Sequence, residues 1–342
     1  MKAVVFRGGD ALGVEDWPRP RAGAGELLLR LRGCGLCGSD IAKLVDAAPT
    51  RPAVFGHELV GEVVEVGDAI GPLASGEPPV VGDRVVAAHH VPCGACHYCR
   101  RGSPSMCRVF KASNLDPGGF AEMIRVPAAN VRHATFRIPP AVSDEAASFV
   151  EPLACCVRAV RRSRVERGDT VAVVGLGSVG NLFVQLYARA GAAVVGVDPI
   201  AERLGLARRL GAADAEGPDA AAAAVRAHAD GRGADHVLVT GGGAAVLPWA
   251  MSVVRDGGTL HFFAGGAGDG LPVPLQSIYH REITLTTTYS SSPADLAESF
   301  RLITRGDVTV EPLITHRLPL AELAAGVELM RRRQALKVYV TP

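Results

Sequence analysis

Apolar positions in the first third of the chain fall in runs too short for helices. KAVVF, ELLLRLRGC, ELVGEVVEVG, DRVVAAHH and FAEMIRVP are rich in Val and Leu and are separated by Gly, Pro and Asp, which predicts a β-rich region. A cysteine-rich excursion between Val91 and Phe110 interrupts it. From about Arg164 the pattern changes. TVAVVG reads as a strand, SVGNLFVQLYARAGA as a helix closed at Gly191, AVVGVD as a strand and IAERLGLARRLG as a helix closed at Gly211. An alanine-rich helix near 219–229, the strand HVLVT, a helix near 244–254 and the strand TLHFFAG follow. Such alternation predicts an α/β fold with a parallel sheet covered on both faces. After Gly270 come EITLTTTY, the helix ADLAESFRLITRG, a last helix from Leu320 and the strand ALKVYV, expected to return to the β-rich region.

VVGLGSVG sets Gly175, Gly177 and Gly180 after a strand and at the start of a helix. Gly175 permits the tight turn, Gly177 lets the backbone approach a pyrophosphate, and Gly180 lets the helix pack on the strand. Ser178 and Val179 open that helix, whose free N–H groups suit phosphates. Asp198 ends the next strand, 18 residues beyond Gly180. Its carboxylate can accept hydrogen bonds from an adenosine ribose and would repel a 2′-phosphate, which favours NAD over NADP. Arg203 points the other way if it serves a phosphate, and is otherwise a solvated first-turn side chain. Thr240 and Gly265, after later strands, are further candidate cofactor contacts.

Cys93, Cys96, Cys99 and Cys107 lie within CGACHYCRRGSPSMC. Four thiolates this close can enclose one tetrahedral Zn²⁺ with no open position, which predicts a structural site. Local disulfides would suit a small secreted domain instead. The opening MKAVVF shows neither a charged n-region nor an apolar h-region, so zinc in a reducing cytoplasm is the expectation. Cys34, Cys155 and Cys156 are expected as buried free thiols. A net charge of +1 over 342 residues gives no footprint for nucleic acid or an anionic membrane. The one basic cluster, Arg331–Arg333, ends a predicted helix, where cations suit the dipole. No apolar run approaches membrane-spanning length.

Upstream, GCGLCGSD and FGHELVGEVVEVG carry Cys37 and His57. With a carboxylate they would form a mixed S, N and O set, the ligand type of a catalytic zinc with one position open. Either residue alone reads as a buried thiol or a loop histidine. In this order, CGSD, GHE, the four-cysteine lobe, GGFAE, EPLACC and GLGSVG resemble the zinc-dependent medium-chain dehydrogenase/reductases, the alcohol and polyol dehydrogenase superfamily. The resemblance runs essentially end to end. It implies a GroES-like catalytic domain over 1–145 and 286–342, with a structural zinc lobe at 91–110, and a Rossmann NAD-binding domain over 146–285, with the active site in the cleft between them. It also implies that Cys37 and His57 hold a second, catalytic zinc. As in sorbitol-dehydrogenase-like members, Glu58 of GHE and Glu151 of EPL would both stand near that metal, and which one binds directly stays open. Zinc lowers the pKa of an alcohol oxygen, which prepares hydride transfer to nicotinamide. By the same resemblance Ser39 begins a hydroxyl relay for the proton, and it also reads as an N-cap for the helix DIAKLV.

The chain departs from the family in three places. Ala42 and Lys43 stand where many members carry a relay histidine, so water or Lys43 would complete the route. The segment 41–55 is short, and Thr288 precedes Tyr289 where sorbitol-type enzymes tend to have arginine. The expected activity is reversible transfer of hydride from a secondary alcohol (a polyol, cyclitol or sugar derivative) to NAD. Rivals are an L-threonine 3-dehydrogenase-like enzyme and a sugar-phosphate dehydrogenase, for which Lys43, Lys111 and Arg281 are the nominated cations. A catalytically inactive zinc-binding structural or interaction protein is the reading from another class. A homo-oligomer, dimer or tetramer, is expected by analogy alone.

Overall fold

The Val- and Leu-rich runs form strands because their side chains alternate between two faces and one face is buried. The computed structural model describes residues 1–9, 11–46, 52–263 and 274–342. In chain order the strands are β1 (Lys2–Phe6), β2 (Leu12–Asp16), β3 (Leu27–Gly35), β4 (Glu58–Val66), β5 (Arg84–Ala87), β6 (Met123–Val126) and β7 (Thr135–Arg137). They continue with β8 (Thr170–Val174), β9 (Ala193–Val197), β10 (Asp214–Glu216), β11 (Ala234–Val239), β12 (Val254–Phe262), β13 (Thr284–Thr287), β14 (Ile314–Pro319) and β15 (Lys337–Thr341). The chain divides into two compact units, Met1–Ala154 with Ser291–Pro342, and Cys155–Ser290.

The first unit is a GroES-like mixed sheet in the order β14-β15-β3-β4-β5-β7, with β6 also on β3. β14 and β15 are parallel, and the other pairs are antiparallel. Leu27, Leu28 and Leu29 of β3 are fully buried, and Leu27 and Leu29 share a core with Phe6, Val63, Phe120 and Val338. β15 does return to the N-terminal sheet. It places Tyr339 opposite Gly35, while Gly35 on its other side faces Glu58. The end of β3 and the starts of β4 and β15 therefore meet at one end of the sheet. The cysteine lobe is a short helix (His97–Arg100), a 3₁₀ turn (Pro104–Met106) and a second short helix (Arg108–Ala112).

The second unit is a parallel sheet in the order β10-β9-β8-β11-β12-β13 among the described residues. β8 is buried along its whole length, as a strand covered on both faces should be. Helices Ser178–Arg189, Ala201–Arg209 and Pro218–His228 make the crossovers. The strand order reverses between β8 and β11, and ligands of such sheets bind outside the carboxyl ends at that point.

The sequence pattern did not anticipate β2, β7, β10, β14 or the helix Val150–Ser163. β2 is mostly exposed and pairs only with β1, so no buried face marks it in the sequence. β7 and β10 are three residues long, too short to show a period. Among the described residues no helix is long and apolar enough to cross a membrane.

Candidate metal centres and nucleotide site

Cys37 follows β3, His57 precedes β4, and Glu58 is the first residue of β4. One ligand atom from each lies within 4.8 Å of the other two. The three are brought together by the antiparallel pairing of β3 and β4. Ser39 Oγ donates to Cys37 Sγ at 3.3 Å. Ser39 is not an N-cap: the helix begins at Gly38, so Ser39 lies inside its first turn.

Asp40, which sequence reasoning missed, is 2% exposed and stands 3.3 Å from His57 Nδ1. It also accepts from the backbone N–H groups of Cys37 at 3.3 Å and Gly56 at 3.5 Å. A carboxylate at Nδ1 fixes the imidazole tautomer and leaves Nε2 for a metal. Burial works against charge on both partners, yet the pairing prevails, raising His57 well above its ordinary value and lowering Asp40. Lys43 Nζ is 4.0 Å from Asp40 and lies over the Phe55 ring, half exposed. A row of rings runs from His57 through His89 and His90 to Phe110, with centroids 4.6, 3.8 and 4.8 Å apart.

Lys337 was also missed. It is 3% exposed, and its ammonium donates to both oxygens of Glu58, at 2.8 and 2.7 Å, and to Leu36 O at 3.3 Å. A lysine inside the apolar run ALKVYV was the available signal. Burial disfavours its charge, but Glu58 and Cys37 raise it above its ordinary value. Glu151 is buried in the first turn of the helix Val150–Ser163 and lies close enough to contribute to that rise. The structure does not bring Glu151 into the group of three around Cys37.

The sulfur atoms of Cys93, Cys96, Cys99 and Cys107 lie within 4.8 Å of one another, and those of Cys96 and Cys99 are 3.5 Å apart. A tetrahedron of zinc–sulfur bonds about 2.3 Å long has edges of about 3.8 Å, so the cluster fits zinc. Backbone N–H groups of Cys93 and Phe110 bring the Cys107 thiol down to about 6, while burial and the neighbouring sulfurs push Cys99 up to about 12. Four thiolates need a cation to coexist, and the donor set calls for one. Of the other thiols, Cys34 and Cys156 are buried as expected, whereas Cys155 is only half-buried.

At the switch point Gly175 adopts φ +90°, and a Cβ on Gly180 would stand 1.9 Å from Gly175 O, so neither position accepts a side chain freely. A Cβ at Gly177 would meet nothing within 4 Å, which leaves open space at the start of the helix that Ser178 and Val179 begin. This fits a cofactor phosphate. Thr240 Oγ1 ties β11 to the loop through Val174 O (3.0 Å) and Gly175 O (2.7 Å). Asp198 accepts from Leu176 N at 2.8 Å and Ile200 N at 3.0 Å, and Arg203 is 3.5 Å from it. Gly265 lies outside the described residues. Arg281 donates to Asp256, Met251 O and Val254 O, so its guanidinium is engaged within this unit, and Lys111 is exposed on the cysteine lobe. Thr288 bonds to Arg162 and His261.

The alcohol dehydrogenase GroES-like domain family matches residues 23–139, and the zinc-binding dehydrogenase family matches residues 178–305. An L-threonine 3-dehydrogenase of Bacillus licheniformis is 31% identical, over 100% of this chain and 99% of that protein. The chain belongs to the zinc-binding medium-chain alcohol and polyol dehydrogenase family. A sorbitol dehydrogenase of Halalkalibacterium halodurans is 29% identical with the same coverage. A structure described as a zinc-binding dehydrogenase of Sinorhizobium meliloti 1021 bound to NADP superposes with a TM-score of 0.86 at 28% identity, over 100% of this chain and 99% of that one. This dehydrogenase therefore acts on CH–OH donors with NAD or NADP.

Proposed function

We propose that the dehydrogenase oxidises a secondary hydroxyl of a polyol, cyclitol or sugar derivative with NAD, reversibly, in the cytoplasm. The observation that carries this reading is the mixed cluster of Cys37, His57 and a carboxylate with a hydroxyl, Ser39, 3.3 Å from the thiolate. Cys37 and His57 would hold the catalytic zinc with Glu58 or Glu151, and the four cysteines would hold a structural one. Zinc, when bound, supplies a Lewis acid that makes an alcohol proton easier to lose. On this reading Ser39 Oγ would take up that proton while its own hydroxyl proton passes outward. Asp40 holds the His57 ring, so the ligand cannot turn away. Ala42 offers no onward side chain and the Lys43 ammonium is drawn to Asp40, so water completes the route.

NAD preference is supported by the Asp198–Arg203 pair. Arg203 faces a carboxylate already, and that carboxylate would repel a 2′-phosphate. Initial rates with NAD and NADP test this. Wild type is expected to prefer NAD, and Asp198→Ala to narrow the gap; a wild type that prefers NADP, as its S. meliloti relative's ligand suggests, overturns it. A second reading, L-threonine 3-dehydrogenase, is favoured by the relative at 31% identity. Following cofactor reduction with polyols, cyclitols, aldoses, sugar phosphates and threonine separates the two, and activity on threonine alone would sink the polyol reading.

A further inference from the structure

We propose that His89 is a positioning residue that holds the face of the His57 ring, and that the cysteine lobe sets His89 in place through His90 and Phe110. The proposal rests on the metal-centre reading above, in which His57 carries a metal on Nε2. Asp40 meets that ring at its Nδ1 edge, 3.3 Å away, and a ring held at one edge can still rock about that contact. His89 covers the face, with the two centroids 4.6 Å apart and the planes tilted by 39°. His89 Nδ1 is itself buried without a hydrogen-bond partner, so on that side ring contacts must hold the side chain.

The lobe supplies those contacts. His89 and His90 follow β5, and their rings lie 3.8 Å apart. The helix Arg108–Ala112 grips His90 twice. Phe110, 1% exposed, lies 4.8 Å from its ring, and the C-cap residue Ser113 accepts from its Nδ1 at 2.6 Å through the backbone oxygen. Ser113 Oγ also accepts from Val91 N at 3.0 Å, which fixes the backbone beside the two histidines. Burial lowers His90 to about 4, so its ring is neutral at pH 7 and stacks without repulsion. Cys107 is the N-cap of the same helix and one of the four thiols that fit zinc. A metal on Cys107 therefore fixes the helix whose Phe110 backs the row of rings. Aromatic pairs are worth about two- to tenfold in an equilibrium constant. That is small against a metal's whole affinity, but here it bears on the angle of one ligand, which outer contacts commonly set.

The test uses full-length enzyme in five forms: wild type, His89→Phe, His89→Ala, Phe110→Leu, and His89→Ala combined with Phe110→Leu. Zinc affinity at each site is read by competition with a chromogenic pyridylazo chelator, with Cys37→Ser marking the phase that belongs to the four-cysteine site. His89→Ala is expected to weaken zinc at the strand ends about three- to tenfold, to shift the visible absorption of the cobalt(II) form, and to leave the four-cysteine phase unchanged. His89→Phe should stay within about twofold of wild type, because it keeps a ring on the His57 face. Phe110→Leu should weaken the same site by a smaller factor, although two rings separate Phe110 from His57, and its effect should vanish in the His89→Ala background. Strand-end affinity in His89→Ala equal to that of wild type, or equal weakening of both sites, overturns the proposal. So does a Phe110→Leu effect that persists in full in the His89→Ala background. Only one zinc in freshly purified, active wild type would instead overturn the two-metal reading, and the proposal with it.

Discussion

The two candidate metal clusters of the β-rich unit are built on opposite plans. Cys93, Cys96, Cys99 and Cys107 come from one surface excursion, with Cys93 exposed and each sulfur supplied by a short helix, a turn or a loop. Cys37, His57 and Glu58 come from the ends of two strands, and their outer partners Asp40 and Lys337 are at most 3% exposed. The first plan lets a metal organise a segment with little core of its own. The second lets the sheet organise a metal site that can stay open. Metal at the lobe should therefore matter to folding, and metal at the strand ends to chemistry.

The largest expected effect follows directly. Structural zinc in small domains contributes on the order of 10 kcal/mol of apparent folding free energy, so Cys107→Ser should lose one zinc, much of its soluble yield and several degrees of Tm. Cys37→Ser should also lose one zinc and most activity, yet keep its circular dichroism and nearly all of its Tm. Equal losses of Tm in both variants would erase the distinction drawn between the sites.

A smaller effect probes the support of the open site. Asp40 is the partner of His57 Nδ1, and removing such a partner typically costs 10–100-fold in metal affinity or activity. Asp40→Ala should weaken zinc at the strand ends by about that factor, read by competition with a metal indicator, while the four-cysteine site stays at wild-type affinity. A uniform weakening of both sites would show that Asp40 supports the unit's fold rather than the ligand.

What could be read from the chain divides along the same line. The cysteine lobe and the Gly175–Gly180 loop are local: all their functional atoms lie within a short stretch, so spacing alone predicts them. The parallel sheet is legible because strand and helix periods alternate without interruption. Cys37 and His57 become ligands only through strand pairing, and motif order stood in for that geometry. Asp40 and Lys337 escaped notice for different reasons. Asp40 reads as an ordinary acidic residue in a first helical turn. Lys337 is 279 positions from Glu58, and only the β15–β3–β4 register joins them. Ser39 was read as an N-cap, but the helix starts one residue before it, which puts it at the second helical position.

The smallest expected effect tests whether acid sensitivity belongs to the metal sites alone. The nucleotide-binding unit holds no candidate metal cluster among the described residues, yet it buries a titratable group. His261 on β12 is 1% exposed, bonds through Nε2 to Thr288 Oγ1 at 3.0 Å, and has no partner at Nδ1. Burial, with the nearby charges of Arg162 and His236, lowers it from 6.5 to about 4. Above pH 6.5 the imidazole is neutral whether the chain is folded or not, and stability is unaffected. Between 6.5 and about 4 the unfolded chain takes up a proton that the folded one refuses, so stability falls as pH falls. Below about 4 both forms bind it and the loss stops growing, at roughly 3 kcal/mol at most. Hydrogen exchange of β12 amides, measured from pH 7 to 4.5 on the zinc-bound enzyme and on its His261→Gln variant, isolates this contribution, because any zinc loss is common to both proteins. His261→Gln keeps a donor toward Thr288 and cannot titrate, so its opening free energy should fall less steeply with pH than that of wild type. Parallel pH profiles for the two proteins would mean that this unit's acid response comes from elsewhere.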